Sequence, residues 1–120
     1  MSLAIVQTRA SAGIKAPRVT VETHISNGLP RLSIVGLAET EVKESGDRVR
    51  SALLNSQLDF PTRRITISLA PADLPKQGSR FDLPIALGIL AASKQIPNDA
   101  LNDHEFVGEL ALSGELRPIS

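Results

Sequence analysis

The chain has no cysteine, no tryptophan and no tyrosine among its 120 residues. Without cysteine there are no disulfides, no thiolate zinc sites and no sulfur nucleophile, and an intracellular compartment is favoured. Phe60, Phe81 and Phe106 are the only aromatics, so the platforms on which single-stranded bases stack are scarce. Two histidines cannot build a metal site alone. An excess of either charge is missing as well: 13 basic and 13 acidic residues give a formal net charge of +0. No global field draws the chain to nucleic acid or anionic lipid, and any such binding must be local. No apolar run reaches the ~18 residues of a membrane span. The opening MSLAIVQTRASAGIKAP lacks both the basic region and the apolar length of a signal peptide. A soluble, cytoplasmic protein without a membrane partner is expected.

At this length a single domain, 1–120, with one core needs no covalent staple. RVTVETHI alternates, with Val19, Val21, Thr23 and Ile25 on one face, and RLSIVG alternates after Asn27-Gly28 and Pro30. The two runs predict a hairpin, with Leu3 to Val6 as a further strand beside them. From Ala38 to about Ser56, Ala38 itself, Val42, Ser45, Val49, Ala52 and Leu53 make a helical stripe. Its early acids and later arginines suit the helix dipole and predict a solvated face. RITISL is another strand, and Leu83 to Ser93 is a helix apolar on nearly every side, with Asp82 as its expected cap. Gly88 within it predicts close approach to the sheet or to the first helix. FVGELALSGELRPIS predicts a hairpin about Ser113-Gly114 whose second arm runs to Ser120, as expected of a fragment of a longer protein.

The order β, β, β, α, β, α, β, β predicts an α+β sandwich: a mixed or antiparallel sheet with helices on one face. Its open face is expected to carry Thr20, Glu22, His24, Ser33, Thr66 and Ser68. No G-x-x-x-x-G-K-[ST] occurs, so ATP is not expected to bind here, and no metal or other cofactor is assigned to these residues. His24 and His104 have no serine or acid partner by spacing and receive no role.

Three long runs, APADLPKQGSRFDLPIALGILAAS, IVGLAETEVKESGDRVRSAL and GELALSGELRPI, resemble the N-terminal domain of the ComM (YifB) family of magnesium-chelatase-like ATPases. The resemblance covers essentially the whole chain. It implies a two-layer sandwich like ribosomal protein S5 domain 2 and the proteolytic domain of Lon, with two main helices on one face of a mixed sheet. It also implies a hexameric AAA+ motor acting on DNA branch migration during natural transformation, with ATP and Mg in the missing C-terminal part.

Lon proteases carry PKDGPSAG, with the nucleophilic serine sixth. Laid on Pro75, Lys76 and Gly78, that motif puts Arg80 at the nucleophile's place, and a guanidinium cannot attack a carbonyl. Ser79 stands one position early, where its side chain is aimed differently, and the matching dyad lysine would fall beyond Ser120. The resemblance therefore implies a Lon fold without protease chemistry: no catalytic residue and no enzyme in this chain. Arg63, Arg64, Lys76 and Arg80 are the candidates for contacting DNA phosphates or acidic residues of a neighbouring subunit. The plainer alternative is that Arg80 pairs with Asp73 or Asp82 and fixes the loop. A Ser-Lys peptidase and a metal-inserting chelatase subunit are the competing functions.

Overall fold

A computed structural model describes residues 2–10, 16–71, 76 and 78–119. In chain order the elements are β1 (Ser2–Arg9), β2 (Arg18–Ser26), β3 (Arg31–Val35), α1 (Glu39–Asn55), β4 (Arg64–Ala70), α2 (Asp82–Ala92), β5 (Glu109–Leu110) and β6 (Leu116–Arg117). Single 3-10 turns at Ser79–Phe81 and Asn98–Leu101 complete the set. The predicted order of strands and helices is the observed one.

Alternation along the strands decides which face is buried. Ala4, Val6, Val19, Val21, Ile25, Ile65, Ile67 and Leu69 project to one side and are all buried, together with Thr8 and Thr23. The six residues expected on the open face are exposed or half-buried, and the helices lie against the other face. The result is an α+β layer pair with one solvated sheet face.

The strands run β1-β2-β4-β3. Neighbours are antiparallel from β1 to β2 and from β2 to β4, whereas β3 runs parallel to β4, with Ser33 beside Thr66. The hairpin predicted from the two alternating runs does not form. Gly28, at φ +142°, supplies the turn, but residues 27–30 carry the chain past the position that β4 fills. A turn signal fixes a local reversal and not the partner strand. The helical crossover α1 between β3 and β4 lets these two lie side by side in parallel, and β2 pairs with the other edge of β4.

Helix α1 buries Ser45, Val49, Ala52 and Leu53 of the predicted stripe, and Gly46 with them, while Val42 is half-buried and Ala38, just ahead of the helix, is exposed. Helix α2 is buried along most of its length, as its composition requires. Its Gly88 lies against β2: a Cβ there would stand 2.3 Å from Thr23 Oγ1 and 3.2 Å from Thr23 Cβ. The expected close approach is therefore to the sheet. The predicted C-terminal hairpin forms, with Glu109 opposite Arg117 and Leu110 opposite Leu116, but only two residues of each arm pair. Gly114 takes the turn at φ +97°.

Asp82 departs from its expected role. It is the first residue of α2, and neither it nor Phe81 before it makes a side-chain capping bond. Its carboxylate turns inward to α1.

Candidate functional site

The segment from Lys76 to Asp82 joins β4 to α2 beside the first turns of α1. At its centre Asp82, completely buried, fills its acceptor positions from three directions. Oδ1 accepts from the Ser45 hydroxyl at 2.7 Å and from Arg48 Nη2 at 3.1 Å. Oδ2 accepts from Arg48 Nε at 2.7 Å and from the Leu110 backbone N–H at 3.1 Å. A buried carboxylate is tolerated when its lone pairs are met in this way and a cation neutralises it. Donating to the Asp82 carboxylate raises the Arg48 pKa, against the opposing effect of desolvation. Arg48 thus leaves the solvated face on which the sequence placed it.

This arrangement bears on the pairing suggested for Arg80. The cation that Asp82 holds is Arg48. Asp73, the other suggested partner of Arg80, lies outside the described residues.

Around this knot the loop is tied at several points. Gly78 donates its N–H to Glu41 Oε1 at 2.8 Å, Gly108 donates to the Arg80 carbonyl at 2.9 Å, and Leu83 donates to the Gly108 carbonyl at 3.0 Å. Ser79 donates its hydroxyl to Glu109 Oε1, and the other oxygen of Glu109 lies 3.8 Å from Arg117 Nε. The Ser79 hydroxyl is therefore held by a carboxylate on β5. Lys76 is 6 % exposed, and both Lys76 and Arg80 have partners within the chain.

Arg63 and Arg64 lie elsewhere. Arg64 opens β4 and Arg63 immediately precedes it, whereas the Lys76 loop follows its far end, roughly 20 Å along the strand. The two pairs also fall on opposite flanks of α1, because residues advance by about 100° each around a helix. Glu41, Ser45 and Arg48 face the loop. Lys43, Gly46 and Arg50 face a groove of about 740 Å³ between α1 and β3. Residues 30–34 and 60–63 complete its walls, bringing Arg31 and Arg63 to it, and Arg64 stands beside Arg31 in the ladder. The four predicted site residues are thus two separate sets. Arg31, Lys43 and Arg50 escaped sequence reading because they come from two elements, β3 and α1, and only the packing of that helix beside that strand shows that they meet.

The architecture is that of a small α+β domain with a mixed sheet, two helices and a polar knot at the start of α2. The family model described as "Subunit ChlI of Mg-chelatase" matches residues 21–120, and the chain belongs to that family. Among individual proteins it is similar to "Competence protein ComM" of Haemophilus influenzae, 62 % identical over 99 % of this chain and 23 % of the relative. YifB of Salmonella typhimurium is 62 % identical over 99 % of this chain and 24 % of that protein. Rv2897c of Mycobacterium tuberculosis is 38 % identical over the same shares. The chain spans about a quarter of the length of the curated relatives it matches.

Proposed function

We propose that this chain is the non-catalytic N-terminal accessory domain, 1–120, of a ComM-like hexameric AAA+ ATPase that moves branched DNA, contributing to ring assembly or DNA guidance in the cytoplasm. The similarity to the competence protein over nearly the whole chain carries the reading. In it, ATP and Mg²⁺ belong to the part of the protein beyond these residues. Among the described residues no helix is long and apolar enough to cross a membrane, which is compatible with that location.

The S5-like and Lon-like classification is supported by the mixed sheet, by two helices on one face and by the position of the 76–82 loop ahead of α2. Absence of peptidase chemistry is supported by Arg80 at the nucleophile's place and by the carboxylate that engages the Ser79 hydroxyl. In this reading the exposed Arg63 and Arg64 contact phosphates or a neighbouring subunit directly. Lys76 and Arg80 act through the shape of the loop that they hold.

The test uses the full-length protein. With Arg63→Ala and Arg64→Ala together, movement of a synthetic four-way DNA junction should fall about tenfold, while ATP hydrolysis without DNA is retained. Junction movement equal to that of the parent, with rings assembling normally, would remove both roles. Hydrolysis of a fluorogenic peptide that vanishes with Ser79→Ala would instead establish a peptidase.

A further inference from the structure

The two outer edges of the sheet differ. On β1 the edge is occupied: Phe106 donates its N–H to the Gln7 carbonyl at 2.9 Å, Glu105 bridges Gln7, and Asn98 donates its side-chain amide to the Leu3 carbonyl at 3.1 Å. On β3 the outer edge has no such cover among the described residues. Arg31 donates its N–H to the Arg63 carbonyl on the β4 side. Because successive residues of a strand direct their backbone groups to opposite edges, Leu32 and Ile34 carry their N–H and C=O outward. An uncovered edge of this kind is a template for another strand.

The edge also lies in the basic groove. Arg31, Leu32, Ser33 and Ile34 all line it, from both faces of the strand, as expected where a groove follows a strand's edge. Leu32, Val42 and Phe60 make its walls partly apolar, with Arg50 set over the Phe60 ring at 5.7 Å. Arg31, Lys43, Arg50 and Arg63 bring four positive charges against Glu39 and Asp47. None of these four cations has an ion-pair partner among the described residues. In a chain with net charge +0, this is a local concentration of uncompensated positive charge.

We infer that the groove between α1 and β3 is a docking site for an extended, acidic polypeptide segment that adds to β3 as a fifth strand. Backbone pairing to Leu32 and Ile34 supplies the ladder, alternate apolar side chains rest on the groove walls, and carboxylates meet the four cations. A phosphodiester strand fits less well. Its phosphates accept from N–H groups but bring no donor to the outward C=O groups, its continuous charge runs against Glu39 and Asp47, and the one ring in the groove is already covered by Arg50. The inference requires nothing of the ATPase reading, since edge, groove and charges all belong to this chain.

The test is a fluorescence-anisotropy titration of the chain with a labelled peptide of about eight residues alternating valine and glutamate, long enough to span the strand. Saturable binding is expected, and exchanging glutamate for lysine should weaken it about tenfold or more. N-methylation at alternate residues should abolish binding in one register and spare it in the other, because only one set of amides faces β3. Arg31→Gln with Arg50→Gln should weaken the parent peptide about tenfold; if that variant melts early, the peptide-side changes decide alone. Equal binding by both methylated peptides, tighter binding of oligo-dT than of the acidic peptide, or a dimer of the chain that blocks the edge would each overturn the proposal.

Discussion

Asp82 and Arg48 meet through two hydrogen bonds across the gap between the helices, one to each carboxylate oxygen. The carboxylate is wholly buried, while the Arg48 side chain keeps 25 % exposure. Asp82→Asn removes the counter-charge and cannot accept from all of its present donors. Urea denaturation should show a loss of ~2–4 kcal/mol, somewhat below the cost of breaking a fully buried pair because Arg48 retains water. Arg48→Met combined with Asp82→Leu should recover much of that loss. A single-variant change under ~0.5 kcal/mol would mean that the knot does not hold the helices together.

Gly88→Ala sets two effects against each other. Alanine favours the helix by about 1 kcal/mol, but its Cβ would enter the space of the Thr23 side chain. A net loss of about 1–3 kcal/mol is expected, read as a fall in melting temperature. Thr23 Oγ1 is also buried without a hydrogen-bond partner. Thr23→Val, which removes that orphan at nearly constant shape, should be neutral or stabilising by about 1 kcal/mol.

Glu105 accepts from Arg9 Nε at 2.9 Å. That hydrogen bond, helped by the charges of Arg9 and Arg18 and opposed by desolvation, holds its carboxyl below the ordinary 4.5. A carboxyl with a depressed folded-state pKa stabilises fully above its unfolded value, and the contribution is lost as pH falls through the folded value. An NMR titration should place the Glu105 midpoint below 4.5, and Arg9→Ala should move it upward. Glu105→Gln should flatten the acid side of the stability profile, modestly, because both partners face solvent.

Ser79→Ala removes one hydrogen bond to Glu109. Glu109 remains near Arg117, so the expected cost is only ~1 kcal/mol in denaturant unfolding. A loss several times larger would assign Ser79 a structural weight comparable with that of Asp82.

Sequence reading was strongest where one periodicity acts alone. The alternation of Val19, Val21, Thr23 and Ile25, the stripe through Ser45, Val49 and Ala52, and the all-round apolar α2 each report burial directly, and each is observed. Strand pairing was not legible in the same way, because Asn27-Gly28 marks a turn without saying that β4 intervenes. Asp82 was misplaced for a related reason. An aspartate before an apolar helix suggests a cap, while its partners Ser45, Arg48 and Leu110 lie 28–37 residues away. The groove was hidden until Arg31, Arg50 and Arg63 were brought together by the fold. The separation of Arg63 and Arg64 from Lys76 and Arg80 follows from strand length and helix phase, neither of which local motifs encode.

The bond from the Leu110 amide to Asp82 makes one backbone hydrogen a gauge for the whole junction. Whenever the helices part, or the C-terminal hairpin peels away, that hydrogen loses its acceptor and meets solvent. Its exchange with deuterium therefore registers every opening that undoes the polar centre, whichever segment leaves first.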